Sequence, residues 1–126
     1  MEKVFLSRLD PALAAQLLAG CARLDPRGIT AERDIPAMAA RSQCFAATAG
    51  DSQAVYLVRV ENGVAWIDAA KGYGPADWTA LLLPTIEAQS KGAASVAFQT
   101  GRPGLVRRAL RQGYAVRGWI VGKDLQ

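Results

Sequence analysis

Asn62-Gly63 stands between two apolar runs, Ala54-Val55-Tyr56-Leu57-Val58-Arg59-Val60 before it and Val64-Ala65-Trp66-Ile67-Asp68-Ala69-Ala70 after it. A two-residue connection of type I′ needs positive φ at both positions, and Asn-Gly is the pair that tolerates it best. The middle of the chain is therefore predicted to be an antiparallel hairpin. With a two-residue loop, Glu61 pairs with Val64, Arg59 with Trp66 and Leu57 with Asp68. Trp66 and Asp68 then share a sheet face with Arg59.

Other elements follow from period and punctuation. Lys3 to Arg8 reads as a first strand, and Asp10-Pro11 as the cap and first residue of a helix. Leu13, Leu17 and Leu24 form one stripe of that helix and Ala14, Leu18 and Cys21 the next, so it is expected to be buried. Asp25 to Gly28 is a turn, and a shorter helix lies within Ala31 to Arg41. Gln43 to Ala49 is a candidate strand ahead of the hairpin. Beyond the hairpin, Lys71-Gly72-Tyr73-Gly74-Pro75 reads as a glycine-rich turn. A helix from about Pro75 to Ser90 should kink at Pro84. Ala94 to Thr100 is a strand, Pro103 to Gln112 a helix stopped by Gly113, and Ala115 to Gly122 a closing strand. With no linker and no repeat, the 126 residues are expected to form one α/β domain, its second half β-α-β-α-β.

Composition removes whole classes of chemistry. The chain has 0 histidines, so no Ser-His-Asp or Cys-His dyad and no His-ligated metal can arise within it. Cys21 and Cys44 are too few for a cysteine-only zinc site and are expected to be reduced and buried. No metal site is therefore expected. The N-terminus lacks a signal-like apolar run and no uncharged stretch could span a bilayer, so a cytoplasmic protein with no membrane partner is expected. The net charge of +4 is uneven. Arg102, Arg107, Arg108, Arg111, Arg117 and Lys123 face a single acid, Asp124, in the last quarter. Such a patch suits a phosphate-rich ligand, or it is simply the solvated side of a helix. Aromatic residues do not interleave with the basic ones, which argues against a nucleic-acid groove.

A glycine-rich loop between a strand end and a helix N-terminus presents free N–H groups and the positive end of a helix dipole, both favourable to phosphate. Glycine there also serves a tight connection by conformation alone. Neither Gly-x-x-x-x-Gly-Lys-Ser/Thr nor Gly-x-Gly-x-x-Gly occurs in the required place, which excludes a P-loop and leaves a Rossmann site unsupported.

The element order, with Lys71-Gly72-Tyr73-Gly74-Pro75-Ala76 and Gln112-Gly113-Tyr114, resembles the GNAT superfamily of acyl-CoA N-acyltransferases. The likeness covers most of the chain and is strongest from Ala54 to Val121. The first motif is similar to the family's pyrophosphate loop, Gln/Arg-x-x-Gly-x-Gly/Ala, with Lys71 in the basic position. The other motif is similar to the family's helix ending in Gly-Phe. The resemblance implies a GNAT-like mixed sheet of about six strands with helices on both faces and a V-shaped splay between strands four and five. It implies an acetyl-CoA cofactor held by Ala69, Ala70, Lys71, Gly72, Tyr73, Gly74, Ala76 and Arg102. The activity it implies is acetyl transfer to a small-molecule amine or a protein amino group.

In this sequence Lys71 keeps the charge of the usual Gln/Arg position but lacks a planar fork. Pro75 has no N–H, Arg102 stands where the family often has Asn, and Ala109 where it often has the tyrosine that protonates the leaving thiolate. One closing strand is foreseen where two are common. Without histidine the base must be a carboxylate; Asp68 on the fourth strand is the candidate, with an ion pair to Arg59 as its other role, and Glu61 beside the hairpin turn is the alternative. Tyr114 or Tyr73 could supply a phenol instead, with Tyr114 the one chosen. The sequence also resembles short, degenerate GNAT-like chains of bacteriophage. That likeness implies a non-catalytic structural or assembly protein, homo-oligomeric or bound to a virion partner.

Overall fold

The computed structural model describes residues 3–125. Its elements are β1 (Phe5–Arg8), α1 (Pro11–Leu17), α2 (Ile35–Arg41), β2 (Gln43–Ala49), β3 (Ser52–Glu61), β4 (Val64–Tyr73), α3 (Trp78–Gln89), β5 (Ser95–Phe98) and α4 (Pro103–Leu110). Short 3-10 turns at Cys21–Leu24 and Glu32–Asp34 join α1 to α2. The strands form one mixed sheet in the order β1-β2-β3-β4-β5, antiparallel except for the parallel pair β4 and β5 that α3 connects.

Alternation along β3 explains the layers. Val55 and Leu57 point to one face, where Ala14 and Leu18 of the α1 segment and Ile35, Met38 and Ala39 of α2 bury them. Ala54, Tyr56 and Val58 point to the other, against Leu82 and Ile86 of α3. A strand apolar on both sides must be covered on both sides. The expected helices on both faces are thus present. α3 runs continuously through Pro84, and Thr85 Oγ1 donates to the Leu81 carbonyl at 2.8 Å. Among the described residues no helix is long and apolar enough to cross a membrane.

The hairpin turn is as read, with φ of 52° at Asn62 and 78° at Gly63. Its register holds through Arg59↔Trp66 and Val58↔Ile67 and then shifts: Leu57 faces Ala69, not Asp68. Asp68 is the extra residue of a β-bulge. One inserted residue reverses which face every later side chain occupies. Lys71 and Tyr73 consequently lie on the α1 side, and Gly72 lies under Trp78.

Four further expectations are corrected. The sheet has five strands, because residues 115–121 form none. Their β-prone pattern finds no ladder to join, and Trp119 and Val121 remain 90% and 95% exposed. The glycine turn begins later than read, since Lys71, Gly72 and Tyr73 extend β4. The first helix ends at Leu17 because Gly20 takes φ 86°, leaving Leu13 and Leu24 44% and 51% exposed. Cys44 is buried, but Cys21 on the broken segment is only half-buried.

Candidate functional site

Pairing between β4 and β5 stops at Ile67↔Phe98. Beyond it β4 continues for six residues bonded to β3 alone, and the strands part. A cleft of about 400 Å3 fills the V. Asp68 to Gly72 line one wall, Gly74 and Ala76 the rim, and Arg102 the wall opposite. The cleft thus assembles eight of the sequence candidates; Tyr73 and Tyr114 are not among its lining. An interrupted ladder leaves edge N–H and C=O groups that a ligand can pair with.

Each rim residue has a local structural reason. A Cβ on Gly74 would lie 2.6 Å from Ser52 Oγ and 2.9 Å from Ser52 Cα, at a φ of 88°. A Cβ on Gly72 would lie 2.6 Å from Trp78 Cδ1. The Ala76 N–H donates to Ser52 Oγ at 3.0 Å, and Asp77 caps α3 by accepting from the Ala80 N–H at 3.3 Å. Lys71 Nζ donates to the Ala19 carbonyl at 2.6 Å and sits 5.1 Å from the Tyr73 ring centroid. The Tyr73 hydroxyl donates to the Leu17 carbonyl. Lys71 and Tyr73 together close the C-terminal end of α1.

Asp68 is nine-tenths buried, with its side chain 10% exposed. Arg59 donates from Nε to Oδ2 at 3.1 Å and from Nη2 to Oδ1 at 3.3 Å, and Ser42 Oγ donates to Oδ2 at 3.1 Å. The ion pair weighed from the sequence is therefore present. Oδ1 carries only the longer bond and is the freer oxygen. Tyr114 donates to Glu87 Oε2 at 2.9 Å, and its ring packs against Phe98. Burial, reinforced by Glu87, holds its phenol protonated well above the ordinary tyrosine range. Burial, with the Glu32 carboxylate second, pushes the Cys21 thiol up, so this cleft residue is no ready nucleophile.

Sequence reading missed Phe98 and Gln99, which line the β5 side, whereas Arg108 of α4, already counted in the basic patch, does line the cleft. It also missed the segment from Cys21 to Thr30, six residues of which line the cleft. Asp25 accepts from the Gly101 N–H at 2.9 Å and from the Thr100 hydroxyl, tying this segment to the end of β5. The turn-forming Asp25-Pro26-Arg27-Gly28 was visible as a turn, but nothing in it marks a partner 76 residues away.

No protein-family model matches the sequence, and no curated protein sequence matches it. Similarity appears at the level of structure. A ribosomal-protein-alanine N-acetyltransferase from Brucella melitensis biovar Abortus 2308 superposes with a TM-score of 0.54 at 11% identity, over 98% of this chain and 100% of that one. An acetyltransferase of Trypanosoma brucei gives 0.53 at 13%, over 98% and 100%. The chain has the GNAT fold.

The cleft has features that a long, phosphate-bearing ligand would need. The cleft is open along the β4 edge, Arg102 and Arg108 border it, and the first turn of α3 carries N–H groups without intrahelical partners. Lys71 and the Ala76 N–H are already engaged, so an anion at the rim would meet Gly74, the α3 N-terminus and the two arginines.

Proposed function

We propose that the chain binds acetyl-CoA in the cleft between β4 and β5 and transfers the acetyl group to an amine. The observation that carries this is the parting of the two strands at the Asp68 bulge, with arginines on the far wall. When bound, acetyl-CoA supplies an activated thioester whose acetyl group passes to nitrogen as C–N forms and C–S breaks, the nitrogen losing a proton and the sulfur gaining one. Ala69 and Ala70 offer their main chain to the pantetheine arm, and Gly74, the N-terminus of α3, Arg102 and Arg108 receive the phosphates. Asp68 receives the amine proton through Oδ1, directly or by way of water, while Arg59 and Ser42 hold the carboxylate in place.

Titration calorimetry with acetyl-CoA, using desulfo-CoA and ATP as controls, tests the reading. Micromolar binding specific to CoA compounds is expected; no binding at millimolar acetyl-CoA overturns it. One observation favours a second reading, a GNAT-fold assembly component without cofactor chemistry. Lys71, the basic residue of the loop, lines the cleft, but its ammonium is already bonded to the Ala19 carbonyl. Under that reading acetyl-CoA leaves the melting temperature unchanged and the protein self-associates or holds a protein partner, a virion component included.

A further inference from the structure

The chain is fastened as far as Tyr114 and not beyond it. Gln112 Nε2 donates to the Thr79 carbonyl at 3.0 Å, the Tyr114 hydroxyl donates to Glu87, and the Tyr114 ring packs against Phe98. These contacts tie the end of α4 to α3 and to the end of β5. Among the described residues, those from 115 onward make no main-chain hydrogen bond to the rest of the chain. The run Ala115-Val116-Arg117-Gly118-Trp119-Ile120-Val121 is nevertheless rich in strand formers. As a strand it would carry Trp119 and Val121 on one face and Val116 and Ile120 on the other. All four are exposed.

The sheet has an edge that lacks such a strand. β5 is last in the order and pairs with β4 alone, so its outer edge presents N–H and C=O groups with no ladder partner among the described residues. All four of its residues are half-buried, and Val96 packs against the cluster that holds Leu82 and Ile86 of α3. A strand laid beside β5 would extend a layer that already has cover. β1, the opposite edge, is exposed at all four residues and offers none. Tyr114 delivers the run close to Phe98, yet residues 115–121 join no strand of their own chain. One chain therefore carries both an open edge and a strand that does not use it. A second copy holds the complement of each, and a two-fold axis satisfies both at once. Burying Trp119 from both copies would remove about 300–500 Å2 of surface, roughly a quarter of a standard interface.

We infer that residues 115–121 of one chain add as a strand to the outer edge of β5 in a second copy, making a dimer by reciprocal exchange. The added strand lies on the side of β5 opposite β4, whereas the cleft lies between β4 and β5. The pairing therefore requires no ligand in the cleft, and titration with acetyl-CoA decides the proposed function separately.

Sedimentation equilibrium of the full chain reads the state directly, and a species of twice 13.4 kDa is expected at micromolar concentration. Isotope-filtered spectra of mixed 13C-labelled and 15N-labelled chains locate the contact. Protons of Trp119 and Val121 in one chain should give cross-peaks to the amides of Ser95–Phe98 in the other. Successive N–H groups of a strand point to opposite sides, so one of Ile120→Pro and Val121→Pro must remove a ladder bond. That variant should raise the dimer dissociation constant about tenfold or more, since each copy loses a bond. Neither proline touches a contact that the single chain uses, so both variants should keep the parent amide spectrum outside the exchanged strand and β5. Phe5→Ser, on β1, should leave the dimer intact. A monomer at about 100 μM overturns the inference. So do cross-peaks confined to one chain, which would mean that the run folds onto its own β5. A dimer that Phe5→Ser dissociates, or that both prolines leave unchanged, overturns it as well.

Discussion

The two halves of β4 differ in how many neighbours they have. Val64 to Ile67 is paired with β3 on one side and β5 on the other, and its Ala65 is fully buried. Asp68 to Tyr73 is paired with β3 only and borders the cleft. The change occurs within one residue, the bulged Asp68. The site is therefore made by interrupting a ladder, and the residues after the interruption are held by side-chain contacts where the first half is held by main-chain pairing. Those contacts are the Gly74–Ser52 and Gly72–Trp78 approaches and the bonds from Lys71 and Tyr73 to α1.

The sharpest way to break the comparison is at Gly74. Gly74→Val meets a positive φ and a close Ser52 Cα at once, and is expected to cost about 3 kcal/mol or more of stability in urea unfolding. The matching change in the doubly paired half, Ala65→Gly, should cost about 1 kcal/mol. Next is Asp68 itself. Asp68→Ala removes the partner of a guanidinium that is partly buried and still bonded to Glu61, for an expected loss of about 2 kcal/mol. Deleting Asp68 instead of replacing it removes the bulge while keeping Ala69 opposite Leu57. The ladder can then continue past Ile67, and acetyl-CoA affinity should fall about tenfold further than in Asp68→Ala. Equal affinities in the two variants would show that the bulge does not make the cleft. A smaller effect is expected at the hairpin end, where Asn62→Ala at φ 52° should cost about 1 kcal/mol.

The gentlest test uses pH. Tyr56 faces Ala70 of the singly paired half, and its hydroxyl bonds Gln89. Burial pushes its phenol up to about 12 from the ordinary 10. The unfolded chain thus loses this proton first. The stabilisation is complete below pH 10 and is lost as pH rises toward 12. Ultraviolet titration of tyrosinate should show a phenol ionising near 12, and Tyr56→Phe should remove it. A Tyr56 that ionised at the ordinary value would mean that this half of the sheet admits water.

The sequence carried the turn well and the bulge not at all. Asn62-Gly63 has a backbone requirement that few residues meet, and it fixed the register as far as Val58↔Ile67. Ile67-Asp68-Ala69-Ala70 contains no comparable signal, because small residues fit either face of a strand. The glycines were legible as a pattern, but their cause, Trp78 and Ser52, lies on other elements. Gly113 was read correctly as the stop of α4: at φ 90° it lets Tyr114 N–H reach the Ala109 carbonyl at 3.1 Å. The following residues were misread as a strand, since β-propensity alone supplies no partner. Asp68 and Arg59 were both foreseen on one face, and the structure joins them. Asp25, Gln99 and Arg108 reach the cleft only through tertiary placement.

The bond from Asp25 to the Gly101 N–H has a consequence in time. The hairpin closes across two residues, whereas this contact joins positions 76 apart and needs α3 and β5 to be in place first. Hairpins form in about 1–10 μs, and contacts of long sequence separation come later. The Asp25 segment should therefore be among the last parts to assemble and among the first to open, so the Gly101 amide should exchange with deuterium ahead of those of Val55 and Leu57. A ligand entering the V would meet a wall fastened by a bond between residues 76 positions apart.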